Sequence, residues 1–62
     1  MYYEIYCDHT RIGTFDREAK NDFIKENKSR YNILDVLYYN SNHLNVGCET
    51  YVNGKLICKY TE

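Results

Sequence analysis

Cys7, Asp8 and His9 stand side by side, and His43 lies in a second polar segment. A thiol, a carboxylate and two imidazoles are the groups from which a Zn²⁺ site or a Cys-His nucleophile is built. Neighbouring residues at a strand end point apart, however, and no third group is placed to orient a base. The simpler reading is a polar turn with exposed histidines. Cys48 and Cys58 are the other reactive pair. With an odd number of cysteines, three, and no Cys-x-x-Cys, metal spacing is absent. They are expected as small apolar core residues facing each other across a hairpin. No nucleophile, base and stabiliser converge, so no enzyme, cofactor or metal is expected.

The hairpin in question runs from Leu44 to Tyr60 and turns at Asn53-Gly54, a strong local hairpin signal. A two-residue loop sets Val52 against Lys55 and brings the apolar side of one strand beside the basic side of the other. A three-residue loop, Val52-Asn53-Gly54, with Gly54 left-handed, sets Cys48 against Cys58 and Val46 against Tyr60. One residue of register moves every side chain to the other face. The buried pattern favours the three-residue form.

At the other end, Tyr2 to Cys7 alternates as a half-buried strand, with Tyr3, Ile5 and Cys7 inward and Tyr2, Glu4 and Tyr6 outward. An Asp8-His9 turn returns the chain through Arg11 to Phe15 and sets Ile5 against Ile12. At an offset of 45 residues, Glu4, Tyr6, Asp8, Ile12 and Phe15 echo Glu49, Tyr51, Asn53, Ile57 and Tyr60. Two hairpins using the same turn chemistry account for the echo.

Between the hairpins, Asp16 is a good N-cap for a helix over Arg17 to Lys28, with Glu18 in the first turn and Lys25 and Lys28 near the end. Ala19, Phe23 and Ile24 form its narrow apolar stripe. Its other face, with Arg17, Lys20 and Lys25 among Glu18, Asp22 and Glu26, reads as solvated. Residues 30–40 are apolar on both parities, as a central strand would be; a second helix capped by Ser29 is the alternative. Asn40 to His43 then turns into Leu44. The expected fold is α+β: one domain over residues 1–62, a small antiparallel sheet in the order β-β-α-β-β-β, with one helix packed on one face.

Composition narrows the function. A net charge of −1 argues against direct nucleic-acid binding, which rests on neutralising phosphates. The lack of a leader-like segment or long apolar run leads us to expect a cytoplasmic protein with free thiols and no membrane contact. Eight tyrosines exceed what so small a core can bury with every hydroxyl satisfied. On the parity above, Tyr2, Glu4, Tyr6, Asp35, Tyr39, Glu49 and Tyr51 collect on the uncovered face, with no basic residue among them. Tyrosine offers rigid contact area with a polar tip, which suits a protein-binding surface.

The abundance of Asn, Lys, Ile and Tyr, with no Pro or Trp, indicates AT-rich coding. In size and residue usage the chain resembles the small inhibitors carried by bacterial viruses, anti-CRISPR and other anti-defence proteins among them. That resemblance implies a stoichiometric inhibitor occupying a functional surface of a larger bacterial protein, such as a nucleic-acid-processing or immune effector. A homodimer formed through the same face is the second reading, and a single-stranded nucleic-acid binder the third.

Overall fold

The computed structural model describes residues 1–61. Strands β1 (Tyr2–Cys7) and β2 (Thr10–Phe15) precede helix α1 (Arg17–Asn27), which is followed by β3 (Ile33–Tyr39), β4 (Asn45–Val52) and β5 (Lys55–Thr61). All strand pairs are antiparallel, in one sheet of order β2-β1-β3-β4-β5. The α+β expectation is met, and residues 33–39 form the central strand.

Both hairpin turns contain two residues. Asp8 and His9 have φ of 49° and 70°, and Asn53 and Gly54 have φ of 51° and 83°. Positive φ at both central positions is the type I′ geometry, whose twist matches that of the flanking strands. Asp8 holds its strained backbone with help from β3: its N–H donates to the Ile33 carbonyl at 2.8 Å, and its Oδ1 accepts from the Ile33 N–H at 2.9 Å. Gly54 needs no such help, having no Cβ.

Each turn is followed by a bulge that skips one isoleucine. In the first hairpin Tyr6 opposes Arg11 but Ile5 opposes Gly13, leaving Ile12 extra. In the second, Tyr51 opposes Leu56 but Thr50 opposes Cys58, leaving Ile57 extra. Neither register expected from the sequence is the one adopted. The two-residue turn sets Val52 against Lys55, and the bulge then shifts the ladder so that Cys48 meets Tyr60. Ile5 likewise faces Gly13 rather than Ile12. Bulges raise local twist and blunt an edge strand against further pairing, and here both edges carry one.

The helix begins where Asp16, in extended conformation, accepts the Ala19 N–H on Oδ1 at 2.8 Å. It ends as the Lys28 N–H reaches the Ile24 carbonyl at 2.9 Å. Its inward residues are Lys20 and Ile24, with Phe23 packed beside them; Ala19 is exposed. Inward spacing is therefore set by Lys20 rather than Ala19, and Lys20 leaves the solvated face to which the sequence assigned it. Phe23 meets Phe15 at 5.2 Å between centroids. The core comprises Tyr3, Ile5 and Cys7 of β1, Leu34, Val36 and Tyr38 of β3, and Ile24, with Ile5, Leu34 and Val36 fully enclosed. α1 packs on β1 and β2, so the inner side of β4 and β5 is left without a helix above it.

Candidate functional site

The face opposite α1 is uncovered across the sheet. Alternation places Tyr2, Glu4 and Tyr6 of β1 there, and beside them Asp35, Leu37 and Tyr39 of β3, since Tyr2 opposes Tyr39, Glu4 opposes Leu37 and Tyr6 opposes Asp35. These six are half-buried. Tyr2 and Tyr39 stack at 5.2 Å with an 11° interplanar angle. His43 leans on Tyr2 at 5.8 Å, and its Nδ1 lies 3.0 Å from the Tyr2 hydroxyl. The Asn40 turn delivers His43 there. Asn40 Oδ1 accepts from the Asn42 and Leu44 N–H groups, and His43 itself adopts φ of 63°. No spacing signal joins His43 to the tyrosines; that required knowing which end of β1 the turn lies over.

Glu49 and Tyr51 are not on this face. Val36 opposes Glu49, Leu34 opposes Tyr51 and Tyr38 opposes Gly47, so all three β4 residues point to the helix side. Cys48, Thr50 and Val52 point to the open side instead. The expected single acidic surface joining Glu4 to Glu49, and Tyr6 to Tyr51, does not exist. Five of the seven expected contact residues share a face, and two lie beneath it.

The open face also carries cations, contrary to expectation. Arg11 donates from Nε and Nη2 to the two Glu4 carboxylate oxygens at 2.8 and 3.3 Å, and from Nη2 to Thr14 at 2.9 Å. The carboxylate beside it raises the Arg11 pKa further. Asp35 Oδ1 accepts the Thr50 hydroxyl at 2.8 Å. Both acids are thus engaged within the chain. What the face offers outward is phenol, imidazole and aliphatic surface.

On the helix side, Glu49 is 4% exposed. Its Oε2 accepts the Tyr38 hydroxyl at 2.7 Å, and its Oε1 lies 4.0 Å from Lys20 Nζ. Lys20 Nζ stands 4.8 Å from the Tyr3 ring centroid and 5.6 Å from that of Tyr38, within cation–π reach. Burial first, and the Glu49 carboxylate second, push the Tyr38 hydroxyl well above its ordinary pKa and raise that of Tyr51. This network anchors β4 to the helix.

The cysteines do not form a pair. All three are free; Cys7 is buried, Cys48 half-buried and Cys58 exposed. Cys48 and Cys58 share the open side, but they are diagonal neighbours rather than opposite. Burial and the nearby Asp8 raise the Cys7 thiol pKa. A thiol reagent at about pH 8, near the ordinary thiol pKa, should therefore modify Cys58 first, Cys48 more slowly and Cys7 only on unfolding. Peptide mapping would refute the register if Cys48 were as protected as Cys7. His9 is exposed while Cys7 is buried, and among the described residues no three Cys, His, Asp or Glu side chains are grouped to hold a metal ion. Among the same residues no helix is long and apolar enough to cross a membrane.

No family model, curated protein or solved structure matches the chain.

Proposed function

We propose that this chain is a non-enzymatic binding protein that docks the open face of its sheet on a larger protein. The observation that carries the reading is a sheet face without a covering layer, centred on the Tyr2–Tyr39 stack and continued by Tyr6 and Leu37. A contiguous aromatic and aliphatic surface of this kind favours association. Tyrosine contributes contact area at low cost in side-chain entropy. Because Arg11 and Thr50 satisfy Glu4 and Asp35, the partner surface is met by aromatic packing and phenol hydrogen bonds rather than by net charge. AT-rich residue usage supports the finer reading, an inhibitor of the anti-defence kind that occupies a functional surface of a bacterial effector.

The test is capture from a bacterial host lysate with wild type and three variants. Tyr6→Ala and Tyr39→Ala should lose the partner, whereas Leu56→Ala, on the helix side of β5, should keep it. Far-UV circular dichroism establishes that each variant is folded. Folded Tyr6→Ala and Tyr39→Ala proteins that recover the same partner would refute the docking face. Light scattering at two concentrations addresses the homodimer: a dimer dispersed by Tyr39→Ala would replace the heterologous partner with a second copy.

A further inference from the structure

We propose that the cleft between α1 and the β4–β5 hairpin binds a small phosphate monoester. It is separate from the docking face, on the opposite side of the sheet, and does not rest on that reading. α1 stops short of β4 and β5, and the gap is a cleft of ≈ 340 Å³. That volume suits a small metabolite. Arg17, Lys20 and Lys59 line it, together with the hydroxyl-bearing Tyr3 and Thr61; Met1 and Val46 supply apolar wall.

Charge selects the ligand. Three cations face the cleft, and no carboxylate of the described residues lines it. Glu49 lies close by but is already shared between Tyr38 and Lys20. Even counting Glu49, the locale carries two positive charges in excess, which a phosphate monoester, at about −1.5 to −2, would neutralise. Lys20 is only 9% exposed. Glu49 is already its counter-ion, so the excess charge left for a ligand is that of Arg17 and Lys59.

The groups also suit phosphate in shape. Arg17 offers a planar fork of donors and is held near the Tyr3 phenol oxygen, which raises its pKa. Lys20 is fixed over the Tyr3 and Tyr38 rings as a point charge. Lys59 approaches from the β5 side, directly opposite Glu49. A carboxylate ligand would leave one positive charge in excess.

The experiment is a titration of the ¹⁵N-labelled chain at constant ionic strength, with glucose 6-phosphate, inorganic phosphate and acetate as separate probes. Saturable shifts of the Val46, Gly47 and Lys59 amides are expected with both phosphates and not with acetate. Arg17→Gln and Lys59→Gln should each weaken binding about tenfold, the loss of one charge-assisted contact. Lys25→Gln, on the exposed helix face, should leave it unchanged. Absence of saturable shifts, equal weakening by Lys25→Gln, or shifts confined to the open face would each overturn the proposal. Those variants leave the Tyr39 side of the sheet untouched, so partner capture and phosphate binding fail independently.

Discussion

Replacing Glu49 by leucine should destabilise the protein by about 3 kcal/mol, the scale for breaking a buried charged contact. The carboxylate holds the Tyr38 hydroxyl at 2.7 Å and faces Lys20 at 4.0 Å, with the Glu49 and Lys20 side chains 5% and 11% exposed. Its removal leaves a buried phenol without an acceptor and a buried ammonium without a counter-ion. Lys20 can relieve part of that strain by swinging its amine to the cleft mouth, so the cost falls at the low end of the range for buried pairs. A domain of this length has only roughly 3–9 kcal/mol of total stability, so the variant should be close to unfolding at 25 °C. The triple variant Lys20→Met, Tyr38→Phe, Glu49→Leu should recover most of the loss, because an apolar set of similar volume removes the unpaired groups together. Urea denaturation of the single and triple variants decides the matter. If the triple is as unstable as Glu49→Leu alone, the carboxylate acts through packing and not through its partners.

The same carboxylate shows where sequence reasoning reached its limit. Strand β1 was legible because Tyr3, Ile5 and Cys7 alternate cleanly with Tyr2, Glu4 and Tyr6. The helix was legible because Asp16 caps it and Phe23 and Ile24 set its inner side. β3 was recovered from its β-branched and aromatic content. β4 was not, because its inward residues are Gly47, Glu49 and Tyr51 while its outward ones include Cys48 and Val52. Local hydrophobicity points the other way. The inversion holds because α1 covers β1 and β2 but not β4, so the inner side of β4 is governed by one polar network and one close approach rather than by a helix. The echo between the hairpins is real in geometry: Asp8 and Asn53 open identical turns, and Ile12 and Ile57 occupy the two bulges. Yet β1 and β4 flank β3 on opposite sides, and the echoed residues face opposite ways. Tyr6 looks out where Tyr51 looks in. Similar hairpins therefore place Tyr2, Glu4 and Tyr6 on the expected face and Glu49 and Tyr51 on the opposite one, while Asp35 and Tyr39 follow from the alternation of β3. The bulges were invisible for a further reason: a bulge is marked by a missing ladder partner, and neither Ile12 nor Ile57 differs in type from a paired strand residue.

The close approach is at Gly47, and Gly47→Ala should cost about 3 kcal/mol, at the upper end of the range for overpacking. Exchanging glycine for alanine in a strand ordinarily helps, since glycine loses more backbone freedom on folding. Here the sign reverses. A Cβ at Gly47 would lie 2.5 Å from the Tyr60 carbonyl oxygen, 3.0 Å from Cδ2 of Tyr38 and 3.1 Å from Cα of Thr61. Two of the three obstacles are backbone of β5, which cannot rotate aside as a side chain could. The edge strand must therefore move away from β4. At about 4–8 °C per kcal/mol for a domain of this size, the melting temperature should fall by at least about 12 °C. Gly13→Ala is the control: its Cβ would meet only Cε1 of Phe15, at an ordinary 3.8 Å, and a change of under about 1 kcal/mol is expected. Calorimetry on the two variants distinguishes steric crowding from a general intolerance of side chains in the sheet. A small effect at Gly47 would mean that β5 is held more loosely than its ladder implies. The displacement also separates the two surfaces of the molecule. Moving β5 shifts Lys59 and Thr61, and with them the wall of the cationic cleft. The Tyr2–Tyr39 stack, on β1 and β3, keeps its geometry. Below its melting temperature, Gly47→Ala should thus bind a partner through the open face while losing affinity for phosphate.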